Sequence, residues 1–486
     1  MRVVMRTSGG GTSGDAPIIW WVRRDVRLHD NQALARAAAG GRAVVPIFLL
    51  DPALLDGPHR GAVRRRGFLF DGLAELDRAL RARGSRLVVR AGRPVEALPR
   101  LAAESGATMV VAERDVSPYA TRRDAAVRRV VPLELVGGAT VRDPSDVTKD
   151  DGSPYTVFSP FRKAWLSRAL PRRADLYVPP ERIATVPDAI ASDELPDGER
   201  TEGFPAGEIE GRRRLEAFAR GRAAAVHRYA SERDRVDHQG TSTLSPYLRF
   251  GMVSAREAVV AAIEAGAGRD GGRGGPDVWL SELVWREFYQ AILFHFPTVL
   301  ERAFNPAMRA IPYRRSAGDL GAWQAGATGY PIVDAAMRQL ATIGWMHNRA
   351  RMIVASFLTK DLLLDWRAGE RWFMRQLLDG DPAANNAGWQ WTAGVGTDAA
   401  PYFRVFNPVL QAKKFDPEGA YVRRWVPELA RVPTSHVHEP WTMAPLDQQA
   451  LRCIVGRDYP GPIVDHRAAR ERALAAYREK RKETTT

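Results

Sequence analysis

Cysteine is almost missing from this chain: Cys453 stands alone among 486 residues. A single thiol excludes an intramolecular disulfide, a CxxC redox pair, a four-thiolate zinc site and a four-thiolate iron–sulfur cluster. No stretch approaches the ~18 uninterrupted apolar residues of a membrane span. Residues 1–17 lack the apolar core of a secretory leader and read as a disordered tail, so the protein is expected in the cytoplasm, with no membrane role. Negative charge is in short supply. Against 71 lysines and arginines stand 57 acidic residues, a formal charge of +14. Such a surplus favours polyanions, nucleic acid above all, although an arginine-rich coding bias accounts for part of it. Hydrophobic residues make up 45% of the chain, enough for a large core and too many for wholesale disorder. The length suits two or three domains of ~150 residues.

Short apolar runs at 18–22, 43–50, 86–89, 108–112 and 133–136 alternate with amphipathic stretches such as 62–83 and 95–105. Buried strands alternating with helices predict a doubly wound parallel sheet, a Rossmann-like α/β domain over 18–145. No GxGxxG follows the first run, where the turn reads Arg23-Arg24-Asp25, so an ordinary dinucleotide site is not expected. Residues 146–225, rich in proline and polar breaks, predict a long linker with short helices. Beyond it the strand signal ends, and helical patterns at 253–265, 278–294, 332–342, 348–363 and 370–378 predict an all-α domain over 226–478. Ten of the thirteen tryptophans lie in this half. They suit either stacking on a flat cofactor or base, or the filling of a large helical core.

Four segments could carry chemistry. Gly240-Thr241-Ser242-Thr243-Leu244-Ser245-Pro246 precedes a helical stretch and offers donors to an anion such as a pyrophosphate, or plain N-caps. Within 279–289, helical spacing puts Glu282, Trp285, Arg286 and Tyr289 on one stripe; a surface Glu282–Arg286 pair would explain the charges but not the aromatics. Around Gly344–His347, the residues Asn348, Arg351 and Met352 share a face, and His347 by itself reads as a hydrogen-bonded packing residue. Asp379-Gly380-Asp381 precedes Asn385, Asn386, Trp389 and Trp391. No histidine or third acidic residue stands at a ligating distance, so no metal is expected; a hydrogen bond to a ribose or a buried arginine suits the carboxylates better.

Together these segments resemble the photolyase/cryptochrome flavoproteins, most of all the bacterial cyclobutane-pyrimidine-dimer photolyases. The likeness extends to Trp21-Val22-Arg23-Arg24-Asp25-Val26-Arg27-Leu28-His29-Asp30-Asn31, to Gly329-Tyr330-Pro331-Ile332-Val333-Asp334-Ala335-Ala336-Met337-Arg338 and to Gly396-Thr397-Asp398-Ala399-Ala400-Pro401-Tyr402-Phe403-Arg404. It implies an α/β antenna domain, a connecting loop and a helical FAD-binding catalytic domain. FAD would be held by Tyr229, Thr241, Ser242, Thr243, Leu244, Ser245, Trp279, Arg286, Asn348, Arg351, Asp379, Gly380 and Asp381, with Asn385 facing flavin N5. It implies a lyase that splits dimers in UV-damaged DNA by light-driven electron transfer, with Glu282 and Asn385 as catalytic residues. Trp285 and Trp391 would sandwich the flipped lesion, Met352 would pack on it, and Glu282, Arg286, Tyr289 and Asn348 would border it. Arg233, Arg349, Arg404 and Gln411 would meet the DNA backbone. Trp389, Trp366 and then Tyr313 match the residues that pass electrons to the flavin, with Trp323 an alternative outer donor. Tyr119-Ala120 replaces the asparagine–glutamate pair of folate-binding relatives, which favours 8-hydroxy-5-deazaflavin over folate or an empty site as antenna. A monomer is expected. The alternatives are a cryptochrome photoreceptor, which usually lacks the Glu282/Trp285/Asn348/Met352/Trp391 set, and a six-four photoproduct photolyase, which uses a histidine in its lesion pocket.

Overall fold

The computed structural model describes residues 16–57, 61–184, 186–268, 274–401 and 403–483; residues 1–15 of the expected tail and Tyr402 of the third motif lie outside them. The five apolar runs form strands β1 (Ile18–Val22), β2 (Val44–Leu50), β3 (Val88–Ala91), β4 (Met109–Glu113) and β5 (Leu133–Val136). They pair in parallel in the order β3-β2-β1-β4-β5, with Ile18 opposite both Val44 and Met109. Every residue of β1 is buried, which is why the run is apolar throughout rather than alternating. Ile19, Trp21, Val45, Ile47 and Val110 pack under Leu98, Leu101 and Val127 on one face. Ile18, Trp20, Val22 and Val111 face the other way, and their core continues without a break into Trp279, Leu280, Val284 and Phe288 of the helical half. The sheet and the helices are thus welded through a shared interior.

The linker is a strap rather than a free loop. Its Ser192 hydroxyl and Asp193 carboxylate accept from the backbone N–H groups of Val89 and Ala91, at 2.9 and 2.7 Å, and Asp193 N–H donates to Val89 C=O. The edge of β3 is thereby covered, as exposed edges need to be. The strap also carries the Phe158–Leu166 and Glu208–Ala219 helices.

Three helical boundaries depart from the sequence pattern. The expected helix at 370–378 runs Trp366–Gln376 because Asp365 caps it a turn earlier, accepting from Arg367 N–H at 3.0 Å. The pattern at 278–294 extends to Gly275–His295, with Pro276 in its first turn. The single helix expected over 348–363 is an α-helix only through Ser356 and then a π turn, Phe357–Asp361, closed by Leu362 N–H donating to Phe357 C=O. Apolar periodicity alone does not separate one wide turn from a regular one. A second core lies in this half, joining Ile332, Phe357, Trp366, Val422 and Tyr477.

Candidate active site

Two neighbouring helices supply most of the site. Gly275–His295 buries Leu280, Val284, Phe288 and Ala291, and turns Glu282, Trp285, Arg286 and Tyr289 outward as a half-buried stripe. The stripe is as expected, but the Glu282–Arg286 pair is not formed. Glu282 accepts from Arg233 Nη1 at 2.6 Å, and Arg286 donates to the carbonyls of Ala139 (2.6 Å) and Leu248 (3.2 Å). Burial raises the Glu282 carboxyl, and Arg233 opposes that rise. Phe158, from the strap, stacks on Trp285 with ring centroids 3.6 Å apart and planes 7° from parallel, which fixes the indole as a rigid plate.

The second helix, Pro382–Ala393, is capped by Asp381, whose Oδ1 accepts from Ala383 N–H (2.9 Å) and Ala384 N–H (3.2 Å). Gln290 donates to the same oxygen and ties the two helices together. The other carboxylate oxygen receives Arg24 Nη2 at 2.6 Å, from just beyond β1. Burial alone would raise this carboxyl; Arg24, Arg249 and Arg286 outweigh burial and hold it below its ordinary range. Asp379 instead pairs with Arg351 at 2.8 Å. The two carboxylates are therefore arginine ligands facing different ways, and among the described residues no group of three His, Cys, Asp or Glu converges.

His347 caps the Asn348–Ser356 helix through Nδ1, which accepts from Arg349 N–H at 3.1 Å. The ring proton is thereby assigned to Nε2, and burial lowers the imidazole to about 4, so it is neutral. In the loop ahead of Ser245–Arg249, Thr243 takes a left-handed φ of 50° and accepts from Arg214, while Ser245 accepts from Trp345 Nε1 at 3.2 Å. Tyr229 and Trp279 both meet Phe218 edge-on and are buried. Asp379 Oδ1, Asn386 Nδ2, His347 Nε2 and Arg249 Nη1 are buried with no partner among the described residues. Buried polar atoms are nearly always bonded, so donors and an acceptor left open on these adjoining segments fit a ligand carrying both kinds of group.

Of the expected lesion and DNA residues, Asn348 is exposed with Met352 beside it, and Trp391 is half-buried under the exposed Arg404 guanidinium, 5.9 Å from its ring. Gln411 is half-buried. Arg349 is turned inward instead, paired with Asp234 at 2.8 Å and laid over the Phe415 ring. Trp389 is buried against Phe373 and Trp323, and Gly369, one turn after Trp366, abuts its ring: a Cβ there would come within 2.1 Å. Trp279, Trp323, Trp366 and Trp389 are all at most 3% exposed, so much of the tryptophan surplus fills the core. Tyr313 lies beside the 362–364 segment, its neighbour Arg314 donating to Leu363 C=O at 2.8 Å. Sequence reasoning assigned nothing to Phe158, Gln290, Arg249 or Glu370, which accepts from Asn385 Nδ2 at 3.1 Å. Arg24 stands in the first motif with no local mark of its partner. No local signal marks these residues, because each meets a partner on a different element, from 15 residues away for Glu370 to 357 for Arg24.

Residues 18–181 match the DNA photolyase family and 279–479 the FAD binding domain of DNA photolyase. A deoxyribodipyrimidine photo-lyase from Synechococcus is 39% identical, over 96% of this chain and 97% of its own; the one from Escherichia coli is 40% identical, over 95% and 98%. The chain belongs to the DNA photolyase family. Among solved structures, a bacterial class III photolyase from Agrobacterium tumefaciens superposes with a TM-score of 0.87 at 37% identity, over 98% of this chain and all of its own. A Synechocystis cryptochrome superposes at 0.84 with 28% identity, over 95% and 99%. The match over 279–479 makes the helical half the FAD-binding part of the chain. Among the described residues no helix is long and apolar enough to cross a membrane.

Proposed function

We propose that this chain is a deoxyribodipyrimidine photo-lyase, which splits cyclobutane pyrimidine dimers in DNA with light. The observation that carries this reading is that Glu282 and Trp285, half-buried on one helix, and Asn385 and Trp391, half-buried on another, lie on two helices locked together through Gln290 and Asp381. FAD, when bound, would supply light-driven one-electron chemistry with no net redox change. Asp379, Arg351, Arg286, Tyr229 and the 241–245 loop would hold it, with Asn385 near the flavin ring. The protein's task is position and polarity. Photolyases are themselves among the enzymes that extrude the damaged nucleotide from the duplex. Trp285, stiffened by Phe158, and Trp391 give the flipped pyrimidines flat apolar faces, with Met352 alongside. Glu282, kept in place by Arg233, and Asn348 meet the polar edges, where charge develops on the opening ring. Arg404 and Gln411 face the phosphates, and the +14 charge draws the strand in.

For the antenna, we assign 8-hydroxy-5-deazaflavin to the α/β domain. Supporting this, Ala120 is 1% exposed and offers no carboxylate, and the Tyr119 hydroxyl is engaged by Asp51. Extraction and chromatography of the bound chromophores test it; folate alone refutes it. The same reading has the enzyme work as a cytoplasmic monomer on DNA. The deciding experiment is blue-light repair by chemically reduced protein of an oligothymidine carrying cyclobutane dimers. Recovery of pyrimidine absorbance in the light and not in the dark is expected. Recovery with six-four photoproducts alone, or with neither lesion, refutes the reading.

A further inference from the structure

At the outer end of the aromatic series lies a lysine that the repair reaction does not use. Lys360 is 1% exposed and sits in the π turn, its Nζ donating to Ala393 C=O at 2.9 Å. The Tyr477 hydroxyl donates to the same carbonyl at 2.7 Å, and Nζ stands 3.5 Å from the centre of the Tyr477 ring. The buried Tyr313 hydroxyl lies beside that of Tyr477. Among the described residues no carboxylate pairs with Lys360. Asp361, next in the chain, is bonded to His466, and Arg472 donates to the Asp361 carbonyl. Asp365 and Arg367, the charged groups nearest Tyr313, pair with each other at 2.8 Å. The Pro382–Ala393 helix presents its last carbonyl here. An ammonium so placed has lost its water and meets no counter-ion among the described residues, so burial lowers the lysine to about 7.

A tyrosine that gives up an electron becomes a neutral radical only by shedding its phenolic proton, whose ordinary pKa is ~10. Burial pushes both phenols up further, so the proton needs a base within the protein. We propose that Lys360 is the internal proton acceptor for the Tyr313–Tyr477 pair when that pair donates an electron to the tryptophan series. The proposal rests on the photolyase reading, because the oxidant is the tryptophan cation radical left at Trp366 after light has drawn an electron inward to oxidised FAD. One electron leaves Tyr313 for Trp366, which returns to neutral tryptophan. The Tyr313 proton passes to the Tyr477 oxygen once the Tyr477 O–H and the lysine amine have both turned off the Ala393 carbonyl, and the Tyr477 proton passes to the lone pair of neutral Lys360. The products are a neutral Tyr313 radical, an unchanged Tyr477 and a lysine ammonium. Reversing the charge separation then requires the proton to come back as well, which lengthens its life.

Flash transient absorption of the oxidised holoenzyme tests this in the parent, Lys360→Met and Tyr477→Phe, on both sides of the lysine's pKa of about 7. In the parent, tyrosyl yield should fall about tenfold per pH unit below that pKa, as the neutral amine is titrated away. It should also drop in heavy water. Both variants should leave the tryptophan radical as the last species, with no dependence on pH in this range. Equal tyrosyl yield in the parent and Lys360→Met overturns the proposal. Tryptophan radical without tyrosyl radical in the parent overturns it and leaves the photolyase reading standing; no radical of either kind removes the electron-transfer series as well. A readout without light guards against misfolding. A neutral buried lysine takes up its proton on unfolding, so Lys360→Met should gain stability over the parent at neutral pH. That gain should shrink toward the ordinary lysine pKa of ~10.4. A gain that does not change with pH overturns the assignment of a neutral lysine.

Discussion

Asp381 should be among the costliest single charges to remove. Its carboxylate caps the Pro382–Ala393 helix, takes Arg24 at 2.6 Å and Gln290 at 3.1 Å, and faces Arg249 and Arg286 as well. The Arg24 and Asp381 side chains are only 14% and 9% exposed. In Asp381→Asn the amide oxygen still caps the helix, so the ~1 kcal/mol of a lost N-cap is spared. What is lost is the nearer of two charges on buried Arg24, since Asp115 remains 3.6 Å away, so the change should cost about 3 kcal/mol, the low end for breaking a buried pair. Asp381→Ala should cost about 1 kcal/mol more, through the cap. If the ion pair is the cause, Arg24→Met in the Asp381→Asn background should recover part of the loss, with a coupling energy of about 3 kcal/mol. Urea unfolding of the four proteins, followed by tryptophan fluorescence and flavin release, measures this. The pH dependence has a definite sign. The folded carboxyl titrates below its unfolded value of ~3.9, so its stabilisation is complete above that value and is lost as pH falls toward the folded pKa. The acid limb should be weakened in Asp381→Asn. Additivity of the two substitutions within about 0.5 kcal/mol would refute the reasoning.

Glu282→Ala should lower the quantum yield of dimer splitting several-fold while FAD content stays at the parent level, because the role proposed for the carboxyl is at the lesion and not among the cofactor's anchors; unchanged yield would remove it from the mechanism. Removing Arg233 should let burial raise the Glu282 carboxyl further, moving the acid limb of the repair profile to higher pH. Trp391→Ala should weaken binding of dimer-containing DNA by ~1–3 kcal/mol, about 5- to 150-fold in Kd, as read by fluorescence anisotropy. Trp389→Phe should abolish efficient photoreduction of oxidised FAD. Trp323→Phe should slow it little: Trp323 touches Trp389 but is 0% exposed, its N–H held by Val354 C=O, and so cannot hand the charge to solvent. Steady-state blue-light reduction with an external thiol separates the two.

Much of this protein can be read from its sequence, and the reason is that the relevant signals are local. Five apolar runs bounded by amphipathic stretches predict the parallel sheet, because burial of both faces of a strand leaves its mark in consecutive residues. The stripe Glu282, Trp285, Arg286, Tyr289 follows from helical spacing alone, and it is present. The family resemblance, borne by several motifs in order, supplied FAD and the lesion chemistry. What depended on tertiary structure is who meets whom. Glu282 finds Arg233 rather than Arg286, Arg24 crosses from β1 to Asp381, and Phe158 leaves the strap to brace Trp285. Lys360 shares a carbonyl with Tyr477 only because a π turn, invisible to apolar periodicity, swings it inward. Helix and strand register record each residue's own burial. The pairing of two groups on different elements, tens to hundreds of residues apart, is set by how the elements pack, and nothing in either local sequence encodes the other partner.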